Sequence, residues 1–409
     1  MTNTNRMESV KYRVISEKKK ERNEQKNECC GRKAAVFVHL HYLESVEMYC
    51  DYLNRIPKEI DLYISYSNGM LYEKIRELLN REEVTYVSKE NRGRDVSALL
   101  VAFREYVLQY EVFCFIHDKK SKENETKNET AEWVKLLWEC CLGGTEYINN
   151  VIDLFYSDDR LGILFPPPLA TKYYNRMLEN AWGADYENVC KLADRLGITE
   201  HIDSTKSPIS LGTCFWVRRD AIRRILDIKW NYEDFDDEPL PIDGTISHAI
   251  ERIFQYLVID AGYHVSCAIK DIYCEEYLEN INAFSTKIAN LLSSFGIYNV
   301  EVANDWDAKL TELQNFAKRH ERTFCYGAGK WSGVIRSMLG VIGRAPDAYL
   351  VTDRSGRCLV YNEEVLLIDE LDIEENDGFI IGTSPRLYSE IEERLSKIGV
   401  KDSDILKLF

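Results

Sequence analysis

The sequence lacks any apolar run long enough to cross a bilayer, and no signal-peptide pattern opens it. None of its twelve cysteines forms a C-x-x-C pair, and several lie in apolar runs, where cysteine acts as a small hydrophobe. We therefore expect a reducing compartment and no zinc knuckle. An excess of basic residues is also missing, because the formal net charge is −16, which argues against nucleic-acid binding by the body of the protein. These absences predict a cytoplasmic protein.

The 409 residues are enough for two or three domains, and the apolar fraction of 45% is ordinary for a globular protein. Short apolar runs alternate with helical periodicity four times before residue 120. This alternation predicts an α/β fold, with a Rossmann-like parallel sheet and helices on both of its faces. The predicted strands are residues 34–40, 61–66, 84–87 and 112–116.

We divide the chain into four segments. Residues 1–33 are polar and are expected to form a flexible leader, although their basic residues also suit a flank that meets an anionic inner-membrane surface. Residues 34–275 are predicted to form the main α/β domain. Residues 276–320 are predicted to be a helical connector, and residues 321–409 a small Rossmann-like domain.

Polar turns follow two successive predicted strands, at the carboxyl ends where open α/β sheets bind ligands. Backbone N–H groups and guanidinium charge in the first turn suit a diphosphate or a base edge. Positive charge in the second turn would stabilise a departing diphosphate. The alternative is that both turns are simply solvated loops. The predicted donor-binding residues are Asn91, Arg92, Gly93, Arg94, Asp95, His117, Asp118, Lys119, Lys120 and Ser121.

A divalent cation is a candidate cofactor at the second turn. His117 and Asp118 are suitable ligands for Mg²⁺ or Mn²⁺, with Asp118 as the predicted metal ligand. Lys119 and Lys120 offer a different device, because they would neutralise a diphosphate directly. The turn has no D-x-D pair, so the residues leave metal dependence open.

A second group of candidate residues surrounds the start of an amphipathic helix predicted over residues 245–261. Asp243 lies just before this helix, near its positive end, which favours an ionised carboxylate that can take a proton from a sugar hydroxyl. His248 shares a helix face with Glu251 and with Arg252, at spacings of three and four residues. We predict Asp243 as the catalytic base and His248 as the alternative base. A helix cap with a structural polar cluster is the non-catalytic interpretation.

Residues 209–218 are predicted to form a strand that combines aromatic rings with positive charge. Phe215, Trp216 and Arg218 would then support an acceptor sugar or the phosphates. For the two aromatic residues, a place in the core of the strand is the alternative.

The C-terminal segment carries a G-x-G-x-x-x-G pattern after a strand predicted at residues 323–326. Asp353 ends the next predicted strand, where a dinucleotide fold places its ribose-binding acid. The spacing departs from the dinucleotide fingerprint. Gly327, Gly329, Gly333 and Asp353 are therefore a candidate nucleotide site, with a structural or acceptor-side role as the alternative.

Five segments, taken in this order, resemble the rhamnan synthesis protein F family, which are glycosyltransferases of bacterial surface polysaccharide assembly. The resemblance spans about the first 270 residues and leaves out residues 1–33 and the C-terminal domain. The five segments are residues 38–42, 91–95, 116–121, 212–220 and 243–252.

The resemblance implies a divergent GT-A glycosyltransferase fold, in which the turn before residue 121 replaces the usual D-x-D and Asp243 replaces the catalytic base. It adds His39, His41 and Arg252 to the donor-binding residues, and it includes Glu251 with Asp243 and His248 among the catalytic residues. It also implies a deoxysugar donor such as dTDP-rhamnose.

From these observations we expect an inverting transfer of a sugar, rhamnose or a related deoxyhexose, from a nucleotide-diphosphate donor. The expected acceptor is a growing surface polysaccharide or a lipid-linked oligosaccharide. The expected location is the cytoplasm, with peripheral contact at the inner membrane. A non-catalytic sugar-binding or assembly subunit with a decayed site is the alternative.

Overall fold

The computed structural model divides the chain into two compact units, residues 1–296 and residues 297–409. Each unit is an α/β fold built around its own sheet. The structure describes residues 10–19, 33–119, 127–176, 182–204, 206–210, 212–241, 243–294, 305–353, 359–360 and 363–409.

The first unit contains an eight-stranded sheet in the order β1-β8-β6-β7-β5-β2-β3-β4. Strand β7 runs antiparallel to both of its neighbours, and every other pair is parallel. The strands are β1 (Lys11–Ile15), β2 (Ala34–Leu40), β3 (Asp61–Tyr66), β4 (Thr85–Ser88), β5 (Val112–His117), β6 (Leu161–Phe165), β7 (Phe215–Arg218) and β8 (His264–Lys270).

Helices cover both faces of this sheet, as the sequence predicted. A single π-helical stretch, Ala98–Ala102, joins α3 to α4. The helices are α1 (Val46–Leu53), α2 (Gly69–Leu78), α3 (Arg94–Ser97), α4 (Arg104–Val107), α5 (Lys127–Leu142), α6 (Thr145–Ser157), α7 (Tyr186–Leu196), α8 (Arg223–Asp227), α9 (Ile246–Asp260) and α10 (Asp271–Ser294).

Strand β2 shows why the prediction of a two-sided core is confirmed. Ala35 and Phe37 point into one core, against the helices α3, α4, α7 and α9. Val36 and Val38 point into the opposite core, against α1, α2, α5 and α6. All seven residues of the strand are buried, because a parallel strand with helices on both faces has no solvent side.

Two local predictions are wrong. The sequence predicts a flexible leader over residues 1–33, but Lys11–Ile15 pairs in parallel with β8 at the edge of the sheet. Only Ile15 of this strand is buried, so its sequence lacks the apolar pattern of an inner strand. The strand predicted over residues 209–218 begins only at Phe215, because Gly212 and Thr213 have positive φ angles of 106° and 47° that interrupt an extended backbone.

The second unit contains a six-stranded sheet in the order β11-β12-β10-β9-β13-β14, in which only β11 is antiparallel. Its two faces bury separate apolar clusters. The strands are β9 (Arg322–Tyr326), β10 (Ala348–Val351), β11 (Leu359–Val360), β12 (Glu363–Leu367), β13 (Asp377–Ile381) and β14 (Ile405–Leu406). The helices are α11 (Trp306–Arg319), α12 (Lys330–Val341) and α13 (Tyr388–Lys397).

The predicted Rossmann-like α/β architecture of both regions is confirmed. Within the described part of the chain, no helix is both long enough and apolar enough to cross a membrane.

Candidate active site

The strand order in the sheet of the first unit reverses between β2 and β5, and the region at the carboxyl ends of these two strands is the expected ligand crevice. The chain proceeds from β2 to β3 and β4 on one side, and β5 then returns on the other side of β2. Open α/β sheets bind ligands at such switch points. His39 of β2 is the register partner of His117 of β5, so the polar residues that end the two strands meet at this crevice.

Asp118 connects the ends of these two strands. Its Oδ2 accepts the backbone N–H groups of His41 and Tyr42, each at 2.7 Å. Its own N–H donates to the carbonyl oxygen of His39 at 3.1 Å. Burial raises the pKa of Asp118 to about 7, although the two accepted hydrogen bonds oppose the shift. These contacts therefore have a structural role. They join the residues that follow β2 and β5, which form the rim of the crevice.

His117 lies beneath the rim, where both ring nitrogens have oxygen partners. Nδ1 contacts the carbonyl oxygen of Asp118, and Nε2 contacts that of Gly212, both at 2.8 Å. The carboxylate of Asp95 lies 3.5 Å from Nε2. Burial lowers the pKa of His117, and Asp95 opposes this shift. Burial also raises the pKa of Asp95, but the charges of His117 and Lys119 outweigh it and hold the pKa below its ordinary value.

His39 forms part of the crevice floor and is not free to bind a ligand through Nδ1. That nitrogen lies 2.9 Å from Ser65 Oγ, in a buried hydrogen bond. Burial and the nearby charge of Lys89 lower the pKa of both His39 and His41, so both rings are neutral. Burial lowers the pKa of Lys89 itself to about 8, and its Nζ donates to carbonyl oxygens of the turn at residues 90–92.

The predicted turn that contains Gly93 packs closely against an acidic loop at residues 233–238, which follows α8. A Cβ atom on Gly93, whose φ is 69°, would lie 2.6 Å from the ring of Phe235. Arg92 donates to the carbonyl oxygen of Phe235 at 2.7 Å and forms an ion pair of 3.1 Å with exposed Asp237. Asn91 is exposed. The first turn therefore meets the later half of the unit directly.

Arg94 extends this contact to the second group of predicted residues. Its guanidinium lies 3.2 Å from Nε2 of His248, whose Nδ1 lies 2.8 Å from Thr245 Oγ1. Burial lowers the pKa of His248, with the charges of Arg94 and Arg252 acting in the same direction. The imidazole is therefore neutral, and both of its nitrogens are already engaged.

Asp243 and Asp185 each accept a hydrogen bond from the backbone N–H of the residue next to the other aspartate. Asp185 was not identified from the sequence. Oδ2 of Asp243 accepts the N–H of Ala184 at 2.9 Å, and Oδ1 of Asp185 accepts the N–H of Gly244 at 3.1 Å. The guanidinium of Arg252 spans the pair, 3.0 Å from Asp185 Oδ2 and 3.1 Å from Asp243 Oδ1. Two backbone segments and one arginine therefore fix the orientation of both carboxyl groups.

The pKa values of the two carboxyl groups are shifted in opposite directions. Burial, together with the hydrogen bond to Asp243, raises the pKa of Asp185 to about 7. Burial also raises the pKa of Asp243, but the hydrogen bonds from Asp185 and Ala184 and the charge of Arg252 outweigh it, so its pKa is lowered. Asp243, whose side chain is 25% exposed, is therefore the ionised and accessible member of the pair.

Gly212 joins the two predicted groups of residues. Its carbonyl oxygen accepts a hydrogen bond from His117, and its N–H donates to the carboxylate of Glu251. Glu251 also lies 3.9 Å from the guanidinium of Arg252. The strand-end residues and the helix-start residues, which are separated by more than 100 positions in the sequence, thus form one connected network.

Among the described residues, one group of side chains could supply three metal ligands. Asp185, Asp243 and His248 each place one ligand atom within 4.8 Å of the others, and Asp118 is not part of this group. The fit to a divalent cation is poor, however, because Arg252 already spans the two carboxylates and balances their charge. We therefore derive no step through a metal ion.

The predicted acceptor contacts of β7 are corrected by the structure. Phe215 and Trp216 are almost fully buried, and the indole N–H of Trp216 donates to the carbonyl oxygen of Cys141 at 2.8 Å. Arg218 is buried as well and pairs with Glu111 at 2.5 Å. The strand lies in the interior of the sheet, so a sugar in solvent cannot reach these side chains, and the strand-core alternative is correct.

Lys119 is the last described residue of the second turn. Its ammonium lies 4.7 Å from the ring centroid of Trp133 in α5, which is a cation–π contact. The other two predicted residues of this turn, Lys120 and Ser121, lie outside the described residues.

Of the glycines predicted in the second unit, Gly327 has a packing role. A Cβ atom on Gly327, whose φ is 122°, would lie 2.5 Å from the carbonyl oxygen of Gly382. The N–H of Gly329 donates to Ser332 Oγ at the start of α12, and Gly333 lies inside that helix. Asp353 is exposed after β10. The nucleotide site remains a prediction, because this geometry is explained by the turn alone.

Comparison with known proteins bears on the first unit. The model of the family described as Rhamnan synthesis protein F matches residues 1–263, which is more than half of the chain. The chain belongs to this family. The match begins at residue 1, so it includes the segment that the sequence resemblance had left out. Membership supports a role in rhamnan or related polysaccharide synthesis.

Two curated relatives come from strains of Xanthomonas campestris pv. campestris. Both are described as "Uncharacterized protein WxcX", and the chain is 27% identical to each over 241 residues. The aligned region covers 58% of this chain and 33% of each relative. The chain thus matches about one third of the length of these relatives.

Three features of the site were missed from the sequence. Asp185 lies 58 positions before Asp243, in a stretch with no motif, and only the fold brings the two together. Lys89 follows a short strand, which is the one signal that could have marked it. Gly212 acts through its backbone carbonyl oxygen and N–H group, and the residue type does not indicate such contacts.

Proposed function

We propose that the chain is a glycosyltransferase that moves a sugar from a nucleotide-diphosphate donor to a surface polysaccharide or a lipid-linked glycan. One observation carries the proposal: an ionised, partly exposed carboxylate, that of Asp243, is rigidly held in a network that reaches the switch-point crevice. Family membership in rhamnan synthesis supports the polysaccharide context.

The crevice supplies the charge that a departing diphosphate requires. Lys89, Arg94 and Lys119 are cations at or near the ends of β4 and β5, and all three take part in the contacts that build this edge. Fixed positive charge is effective where negative charge develops in the transition state. These residues would stabilise the nucleoside diphosphate as it leaves, and no metal ion is required for this step.

The proposed reaction is a single inverting displacement. An acceptor hydroxyl oxygen attacks the anomeric carbon, the bond from that carbon to the diphosphate oxygen breaks, and Asp243 Oδ takes the hydroxyl proton. Arg252 and the N–H of Ala184 hold the carboxylate in its ionised form before the reaction. His248 is the weaker alternative as base, because both ring nitrogens already have partners.

The finer parts of the proposal follow from the family resemblance. They are a GT-A-type donor site, a deoxysugar donor such as dTDP-rhamnose, and action at the cytoplasmic face of the inner membrane. The mixed sheet with its switch point between β2 and β5 supports the first of these. The second unit would then serve a structural or acceptor-side role.

One observation favours a second function, that of a non-catalytic glycan-binding or assembly subunit. Both oxygens of Asp243 have partners, and Arg92 and Arg94 are already paired with protein groups. A site whose charges are internally balanced suits binding without turnover. The experiment below separates the two functions.

The deciding experiment measures release of nucleoside diphosphate from a panel of dTDP-, UDP- and GDP-sugars, with a glycolipid extract as acceptor. We expect Asp243→Asn to lower the rate by about 100-fold or more, because a positioned general base contributes about 10²–10⁴. The control is Asp227→Asn, an exposed carboxylate on α8 that pairs with Arg223. Full activity in a folded Asp243→Asn variant would falsify the catalytic proposal, and donor binding without turnover in the unaltered protein would favour the second function.

A further inference from the structure

A cleft opens beside Gly244, the residue that follows Asp243. Its walls are helix α7, the start of α9 and the acidic loop at residues 233–238, and its volume is about 360 Å³. That space would hold about 12 water molecules at liquid density, and a pyranose sugar has a similar number of non-hydrogen atoms. The cleft is therefore large enough for one sugar, and it adjoins the proposed catalytic base.

The acidic loop separates this cleft from the crevice. Phe235 and Asp237 contact the turn at residues 91–95, on the crevice side of the loop. Asp234 and Asp236 line the cleft. Alternate residues of an extended segment point to opposite sides, and Phe235 has extended backbone angles. The loop is therefore a thin wall, with the predicted donor turn on one side and the cleft on the other.

The opposite wall of the cleft carries positive charge from α7. Lys191 and Arg195 are four residues apart on one face of this helix, and both line the cleft. The guanidinium of Arg195 lies 4.8 Å from the ring centroid of Trp230. Among the described residues, the side chains of Lys191, Arg195 and Asp236 form no hydrogen bond or ion pair. In the crevice, by contrast, the arginines of the first turn pair with protein groups.

This mixture of charges indicates the chemistry of the ligand. An anion bound in the cleft would meet the two carboxylates of the loop, and a cation would meet the two basic side chains of α7, so each is partly repelled. A hydroxyl group can donate to a carboxylate and accept from a basic side chain. Leu192 and Ile246 also line the cleft and offer an apolar contact to C–H groups. The lining therefore fits a neutral compound with several hydroxyl groups, which is the chemistry of a sugar.

We propose that this cleft binds the terminal sugar of the acceptor glycan, with Lys191 and Asp236 as the residues that recognise its hydroxyl groups. The proposal rests on the proposed transferase function and assigns the acceptor side of that site. A sugar in the cleft contacts Gly244 and so lies next to Asp243, the base that takes the hydroxyl proton. The nucleotide donor lies across the acidic loop. The cleft thus takes the acceptor role that the buried side chains of β7 cannot fill.

The test is direct binding of neutral sugars to the full chain, measured by ligand-observed NMR without a donor. The first probe is methyl α-L-rhamnopyranoside, because the family is described by rhamnan synthesis. The panel continues with the methyl glycosides of mannose, glucose, galactose and N-acetylglucosamine. We expect saturable binding of at least one glycoside. We also expect that neither UDP nor inorganic phosphate displaces it, since both are anions and the donor crevice lies on the other side of the loop.

The informative variants are Asp236→Ala and Lys191→Met, one on each wall. Each should weaken binding of the glycoside about tenfold, since a hydrogen bond to a charged group contributes about 1.5–3 kcal/mol. For a charged ligand, the two substitutions would act in opposite directions, because one removes a negative charge and the other a positive charge. The matched control is Asp194→Ala, an exposed carboxylate of α7 outside the cleft, which should leave binding unchanged.

Three results would overturn the acceptor proposal. They are the absence of binding by every glycoside, displacement by UDP, which would assign the cleft to the donor, and opposite effects of Asp236→Ala and Lys191→Met. In the transfer assay, Asp236→Ala should raise the acceptor KM about tenfold and leave kcat nearly unchanged. Glycoside binding without any transfer by the unaltered protein would count against the transferase proposal alone. Transfer that is insensitive to both cleft variants would count against this one.

Discussion

The two units share an architecture, but only the first unit buries a group of histidine, carboxylate and lysine side chains at the carboxyl edge of its sheet. In the first unit, His117, Asp118 and Lys89 are buried at the carboxyl ends of strands. In the second unit, the buried histidine and carboxylate side chains among the described residues are those of His320 and Asp377, and both lie at the amino ends of strands. Ligands bind α/β sheets at the carboxyl edge.

This difference indicates which of the two similar sheets carries the reactive site. At the carboxyl edge of the second unit, the first turn is closed by backbone contacts, such as the bond from Gly327 N–H to the Leu350 carbonyl oxygen at 2.7 Å. The corresponding edge of the first unit is closed by the Asp118 carboxylate. Burying a carboxyl group costs stability that backbone contacts do not, so the first unit retains the costlier arrangement at this edge.

Two buried carboxylates held by arginine give the sharpest test of this comparison. Asp185 pairs with Arg252 at the proposed site, and Asp377 pairs with Arg322 at 2.7 Å at the amino edge of the second sheet. We expect Asp185→Ala to lower transfer about 30-fold, because Asp243 loses a hydrogen bond and its reciprocal backbone contact, a loss of about 2 kcal/mol. Asp377→Ala should leave transfer unchanged.

The stability of both variants serves as the control for this test. Asp377→Ala should destabilise the protein by about 1–3 kcal/mol, a value reduced because Arg322 is 34% exposed. Asp185→Asn should restore part of the lost activity, since an amide can still accept from Gly244 and donate to Asp243. Equal activity losses in Asp185→Ala and Asp377→Ala, measured well below their unfolding temperatures, would contradict the assignment of the site to the first unit.

A pair of glycines extends the comparison to the backbone. Gly212 and Gly327 both have positive φ angles, of 106° and 122°, at the carboxyl edges of their sheets. Alanine should destabilise the protein at either position by about 1–3 kcal/mol through backbone strain, with the larger cost at Gly327, where the added Cβ meets a backbone oxygen at 2.5 Å.

Only Gly212→Ala should change transfer. The substitution shifts the carbonyl and N–H groups that contact His117 and Glu251, and we expect a loss of about tenfold, since small displacements at a reacting centre are costly. Denaturant unfolding and the nucleotide-release assay would measure the two effects. If Gly327→Ala reduced transfer as strongly at equal stability, the second unit would have a direct part in the reaction.

Much of the first sheet was predictable, because buried parallel strands are continuous apolar runs. The strands that include Val38, Ile64 and Phe115 matched the structure closely for this reason. The edge strand Lys11–Ile15 was missed, since four of its five side chains are not buried and it carries no apolar signal. Strand β8 was also missed from the sequence.

The site was predictable in its parts and unpredictable in its connections. The turn that contains His117 and the helix start that contains Asp243 were identified from charge next to apolar runs. That they are joined through the backbone of Gly212 depends on tertiary contacts. Asp185 has no sequence signal of its own, because its role depends on an N–H donated by Gly244, more than 50 residues away. The aromatic pattern of β7 misled for the opposite reason, since Trp216 is as suited to a core as to a sugar.

The last predicted effect concerns stability alone, through pH and the carboxylate that closes the crevice of the first unit. Burial raises the folded-state pKa of Asp118 from its ordinary value of 3.8 to about 7. Between these values the folded protein holds a proton on Asp118 that the unfolded chain has released. The stability contributed by this group is therefore fully present below pH 3.8 and is lost as the pH rises to about 7, at up to about 1.4 kcal/mol per pH unit.

The measurement is the free energy of unfolding of the unaltered chain minus that of Asp118→Asn, from urea titrations at several pH values. Taking the difference removes the other titrating groups. We expect it to fall from pH 4 to pH 7 and then to level off, because asparagine cannot lose a proton. A difference that rises over this range would mean that the two N–H groups of His41 and Tyr42 outweigh burial. Asp118 would then be an ionised anchor at neutral pH, and the rim of the crevice would carry a full negative charge close to the incoming diphosphate.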